Sequence, residues 1–121
     1  MKRIIALTAL LATANAFSHS MSPITFGGKK DPLKSITMTG YVVVPITVGS
    51  HITQDFIITV DDEEIETIKV HKGQRRKKDI PVKLNEPNRV ERHEICSIGI
   101  GSSVNTRICT QVKAFWLVKE K

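Results

Sequence analysis

"SITMTGYVVVPITV", residues 35–48, places its apolar side chains on alternate positions: Ile36, Met38, Val42, Val44, Ile46 and Val48 are all even-numbered. A period of two belongs to a β-strand with one buried face, whereas helical residues on one face stand three and four apart. The parity continues in "ITQDFIITV", residues 52–60, through Ile52, Phe56, Ile58 and Val60. Pro45 lacks a ladder donor and so marks an edge or a bulge.

Downstream, "DDEE" (61–64) reads as an acidic turn, and Ile65, Ile68 and Val70 mark a strand over 65–70. "HKGQ" (71–74) is a Gly-containing turn, Ile80, Val82 and Leu84 alternate in the next strand, and "NEPN" (85–88) is a loop. Residues 90–100 and 104–118 read as a hairpin turning between Ser102 and Ser103, with Ile108, Val112, Ala114, Trp116 and Val118 on one face. Trp116 is expected in the core. About seven short strands at intervals of roughly 8–12 residues predict an all-β, immunoglobulin-like antiparallel β-sandwich over 35–121, with a small barrel as the alternative.

The chain opens "MKRIIALTALLATANAFSHS". Lys2 and Arg3 precede the apolar run Ile4–Ala14, and Ala14-Asn15-Ala16 forms an A-x-A cleavage signature. That is the layout of a secretory signal peptide over 1–16. The run is shorter than the roughly 20 residues a membrane-spanning helix needs, and no other stretch could span a bilayer as a helix. The expectation is an exported chain starting at Phe17, in the periplasm or at the cell surface. Residues 17–34, "FSHSMSPITFGGKKDPLK", read as an extended arm or linker. It is either a loose terminus or a strand offered to a neighbouring subunit through "SPITFGG".

In an oxidising compartment, the only two cysteines, Cys96 and Cys109, are expected to form a disulfide. A zinc site needs about four ligands at short spacings, and His19, His51, His71 and His93 are scattered singly. In the hairpin above, opposed residues have numbers summing to 205, so Cys96 faces Cys109 across an antiparallel pair. Closing a loop of this size contributes about 3 kcal/mol in the chain-entropy picture. The same register sets Arg92 against Lys113, an unfavourable like-charge pair, which a bulge or longer turn around Gly99 and Gly101 could relieve. The disulfide is expected on the outer or peripheral face of the hairpin.

"DFIITVDDEEIETIKVHKGQRRKKDIPVKL", residues 55–84, resembles the middle strands of bacterial immunoglobulin-like modules of the cell-adhesion-related type. A strand ending in Val60-Asp61 leads through an acidic turn to "IETIKV", then a "KGQ" turn, then "IPVKL". Asp62 stands where those modules carry glycine, and the cysteine hairpin is no part of their pattern. The resemblance implies a sandwich fold and, by analogy, binding or assembly.

Removing Lys2 and Arg3 takes the formal charge from +6 to +4. The aromatic residues are not interleaved with basic ones, so no stacking platform for nucleic acid is expected. Lys72, Arg75, Arg76, Lys77 and Lys78 form a basic loop suited to an anionic glycan, lipopolysaccharide or an acidic partner, or to guarding an edge strand. The carboxylates at 61–66 lack the alternating pattern of a calcium loop. His93 and Glu94 lie on one strand and face opposite ways, and no nucleophile motif occurs. No catalytic residue, metal or cofactor is therefore expected. The sequence points to a structural or accessory subunit of an envelope or cell-surface assembly (a pilus, a secretion or conjugation apparatus, a phage-related particle) acting through protein partners. Self-association through the arm fits that reading. A soluble periplasmic binding module, such as an enzyme inhibitor or a glycan binder using 72–78, is the alternative.

Overall fold

The computed structural model describes residues 19–27, 35–101 and 106–119, and every regular element among them is a strand. The signal peptide expected at 1–16 and the turn at Ser102–Ser103 lie outside the described residues. The strands are β1 (Ser20–Ser22), β2 (Thr25–Phe26), β3 (Ile36–Thr37), β4 (Tyr41–Gly49), β5 (Gln54–Val60), β6 (Glu63–Val70), β7 (Arg75–Lys83), β8 (Val90–Ile100) and β9 (Arg107–Trp116). They form a three-stranded sheet in the order β1-β4-β7 and a larger sheet in the order β2-β9-β8-β5-β6, with β3 also paired to β9.

Alternation decides which face of each strand is buried. Val42, Val44, Ile46 and Val48 of β4 and Ile80 and Val82 of β7 face Phe56 and Ile58 of β5, Ile68 and Val70 of β6, Ile95 of β8 and Val112 of β9 in one cluster. Each such side chain contributes about 1.5–3 kcal/mol by leaving water. Trp116, expected inside, is only partly buried and packs against the cluster from its rim.

The stretch 35–48 is two strands. A turn over Met38–Gly40, with Gly40 at φ +84°, sends Ile36 to the larger sheet and Tyr41 onward to the smaller one. Ile36 and Met38, in phase with the buried residues by number, are therefore 40% and 69% exposed. Ile65 is likewise turned outward, because the β5–β6 register shifts at Ile58/Thr59 and inserts it as an extra residue. The β5–β6 connection is the two-residue turn Asp61–Asp62, both at positive φ, as the twist of a tight hairpin requires.

The arm expected at 17–34 is not an arm where it is described. β1 pairs antiparallel with β4 and β2 pairs parallel with β9, so one short stretch joins both sheets. Met21 and Phe26 are buried in the common core, and Phe26 is the reason this segment stays down. Gly27, at φ +86°, passes so close to β9 that an added Cβ would stand 2.1 Å from the Lys113 carbonyl oxygen. With β3 also parallel to β9, the larger sheet is mixed rather than purely antiparallel.

Pro45 lies in β4, which has β7 on one side; on the other, among the described residues, β1 pairs only with Thr47–Gly49. Pro81 lies in β7, the last strand of its sheet. Each proline thus sits where one strand side carries no ladder.

Candidate functional site

Cys96 and Cys109 are directly opposed, with Cα atoms 4.0 Å apart and Sγ atoms 2.10 Å apart, the separation of a disulfide. The β8–β9 register runs from Val90↔Phe115 to Ile98↔Arg107 without interruption. No bulge separates Arg92 from Lys113 within this register. Both side chains are exposed, where water screens the repulsion to a fraction of a kcal/mol, and relief by a bulge would break the ladder that aligns the cysteines.

The disulfide lies on the outer face of the larger sheet, opposite the core. Following the register from one end gives a sequence of rows. First come Ile36, Phe115 and Val90; then Lys113 and Arg92; then Gln111 and Glu94; then Cys109, Cys96 and Thr59. Beyond them Ile98 and Ile57 stand side by side, both half-buried. Arg107 folds over the sulfurs, its Nη2 2.6 Å from Asp62 Oδ1, 3.3 Å from Glu94 Oε1 and 3.4 Å from Cys96 Sγ. Gln111 Nε2 donates to Glu94 Oε2 at 2.6 Å.

Glu94 Oε1 is thus engaged by Arg107 over the disulfide and Oε2 by Gln111 across the row, and neither makes an ion pair with its neighbours Arg92 and Lys113. Among the described residues those two cations have no ion-pair partner. Beside them Val90 is 58% exposed and continues with Phe115 and Ile36 as an apolar row. An apolar row next to uncompensated positive charge is complementary, in polarity and sign, to a surface that brings carboxylates and an apolar group. Glu94 and the two sulfurs also lie within metal-ligand reach of one another, but oxidised sulfur offers no thiolate.

The five basic residues read as one loop are divided. Only Lys72 belongs to the turn; Arg75 to Lys78 are in β7. Alternation sends Arg75 and Lys77 to the outer face of the smaller sheet. Arg76 and Lys78 turn toward β6, where Arg76 Nη1 donates to the Lys69 carbonyl oxygen at 2.8 Å and Lys78 Nζ lies 3.4 Å from Glu66 Oε1. Charges turned inward at the last strand of a sheet oppose further strand addition. The acidic run is divided too: Asp61 engages His93, Asp62 engages Arg107 and Glu66 engages Lys78, so its carboxylates do not converge.

One constellation was missed by sequence reasoning. His93, 8% exposed, has Nδ1 2.5 Å from Asp61 Oδ2 and Nε2 2.8 Å from Glu91 Oε1. Glu91 also accepts the backbone N–H groups of Asn85 and Glu86, and Asp61 accepts that of Glu94. Burial pulls the His93 pKa down, but the hydrogen bonds and charges of the two carboxylates outweigh it and hold the pKa above 6.5. For Glu91, burial raises the pKa, and its hydrogen-bond donors overcome this to leave it lowered. His93 thereby ties the β5–β6 turn to the β7–β8 loop. The i, i+2 spacing of Glu91 and His93 on one strand face was the available signal; Asp61 is remote in sequence. His19 is the opposite case: it stacks on Phe56 at 4.5 Å and meets the hydroxyls of Thr106 and Ser97, so burial lowers its pKa.

No family model, no curated protein and no solved structure matches this chain.

Proposed function

We propose that the chain is an exported, immunoglobulin-like subunit or accessory of an envelope or cell-surface assembly that works by protein–protein docking through the outer face of its larger sheet. The observation that carries this is the row Ile36, Phe115 and Val90 beside Arg92 and Lys113, two cations left without a counter-ion among the described residues. Retaining facing like charges costs a few tenths of a kcal/mol in the free chain, and an acidic partner would recover it.

Support for the immunoglobulin-like part lies in the strand order. Taking β1, β4, β7 and β9, β8, β5, β6 as strands A, B, E and G, F, C, C′ matches the sheet membership of that fold except for strand D, which has no counterpart among the described residues. The cross-link differs, joining neighbours F and G rather than bridging the two sheets. Support for export lies in the disulfide together with the signal-peptide layout of 1–16.

The test is affinity capture from the native envelope, using the oxidised protein and its Arg92→Glu/Lys113→Glu variant as parallel baits. The proposal predicts proteins retained by the first and lost by the second. Identical captured sets, or no capture by either, contradict it.

The alternative, an anion binder using 72–78, retains Lys72, Arg75 and Lys77 as exposed groups. Arg75 lines a shallow depression of about 240 Å³ together with Ser50, His51 and Gly73. Heparin retention that survives Lys72→Gln/Arg75→Gln/Lys77→Gln at unchanged salt would remove this reading.

A further inference from the structure

We infer that the partner docked on this face is a second copy of the chain, in a two-fold dimer that sets Glu64 of each copy against Arg92 and Lys113 of the other. The inference rests on the docking reading above and names its occupant.

The complement of the cationic site is present on the same face of the same molecule. Glu64 is opposed to Thr59 in the β5–β6 register, which places it on the outer face. It is exposed and has no ion pair among the described residues. Beside it the bulge turns Ile65 outward, 43% exposed. A carboxylate with an adjacent apolar side chain is what the row Ile36, Phe115 and Val90 with Arg92 and Lys113 lacks.

The geometry allows both contacts at once. Glu64 is on β6, while the cations are on β8 and β9, two to three strands away. At about 4.8 Å per strand this is a lateral step of roughly 10–14 Å, and the cations stand four residues, about 13 Å, further along the strands than Glu64. A two-fold axis lying in the plane of the face, oblique to the strands and running past Cys109 and between Cys96 and Glu94, exchanges the two positions, giving an isologous contact. The centre of such an interface falls on the disulfide and on Glu94 and Gln111, which already satisfy each other, with the charge pairs at its rim. A face five strands wide and about eight residues long covers roughly 600 Å² in projection, near the ~800 Å² each partner gives to a standard interface. Arg107 does not oppose this contact, since Asp62 and Glu94 already balance it.

Sedimentation equilibrium on the purified, oxidised protein tests the inference. A dimer that weakens as salt rises is expected. Arg92→Glu/Lys113→Glu and Glu64→Lys should each weaken it by about tenfold or more. An equimolar mixture of the two variants should associate as the unaltered protein does, because each restores the opposite charge across both contacts. That rescue also shows that neither variant has merely failed to fold. A monomer at about 0.5 mM, or variants that dimerise unchanged, overturns the inference. If the protein is monomeric yet the double variant still loses its envelope partner, only this inference falls and the docking reading stands.

Discussion

β9 is held from two sides by unlike neighbours. On one side β8 runs antiparallel to it through an unbroken register and is bonded to it through sulfur. On the other, β2 and β3 touch it in two short parallel stretches brought from the far end of the chain. The first neighbour adjoins β9 in sequence, so a hairpin turn is enough to align it. The second is fixed by Phe26 in the core, by the close pass of Gly27 under Lys113, and by backbone bonds from the Gln111 and Phe115 N–H groups to the Ile24 and Ser35 carbonyls. A long, alternating local pair and a few well-placed long-range contacts therefore close the same sheet.

The largest expected effect breaks the comparison on its weaker side. Phe26→Ala removes a core ring, and the chain should lose about 3–5 kcal/mol, read from the shift of a urea midpoint. A loss below about 0.5 kcal/mol would mean that residues 19–27 are the loose arm suggested by their composition. On the stronger side, Cys96→Ala/Cys109→Ala should cost about 2–4 kcal/mol while the strand content seen by circular dichroism stays.

Next in size is the pairing of His93 with Asp61 and Glu91. His93→Ala leaves two carboxylates short of a donor and should cost about 1–3 kcal/mol. The pH dependence has a sign that separates the two regions. The His93 pKa is raised, so its contribution is complete below 6.5 and is lost as pH rises through the folded value. The His19 pKa is lowered, so its contribution is present above 6.5 and is lost as pH falls toward the folded value. Denaturation midpoints from about pH 5 to 9 should flatten above 6.5 in His93→Gln and lose part of their acid-side fall in His19→Gln.

The smallest effect sharpens the register itself. Arg92→Glu places a carboxylate opposite Lys113 and should stabilise the dilute monomer by about 0.5 kcal/mol. A bulged hairpin would separate the two side chains and give no gain.

Much of the molecule could be read from residues 42–48, 54–60 and 90–116, where alternation states both the strand and its buried face. The pairing of Cys96 with Cys109 followed from the expected oxidising compartment together with the position arithmetic of the hairpin. What escaped reading has physical reasons. Ile36 and Met38 kept the phase of Val42 across a turn, so parity could not show that the chain had changed sheets at Gly40. Ile65 lost its phase to a bulge at Ile58/Thr59 that no residue type marks. Arg75 to Lys78 read as a loop by composition but were carried into β7 by Ile80 and Val82, whose burial fixes the strand. The outer-face rows, and with them the docking site, needed the register of β3 against β9, a parallel pairing over a long separation that local sequence does not encode.

Amide hydrogen exchange at Gln111 and Phe115 measures most directly whether residues 19–27 and 35–37 belong to the folded sheet. Protection close to that of the central β8 amides is the predicted result, since both N–H groups donate to that segment at 2.9 Å. Exchange at unfolded-chain rates while β8 stays protected would contradict the account.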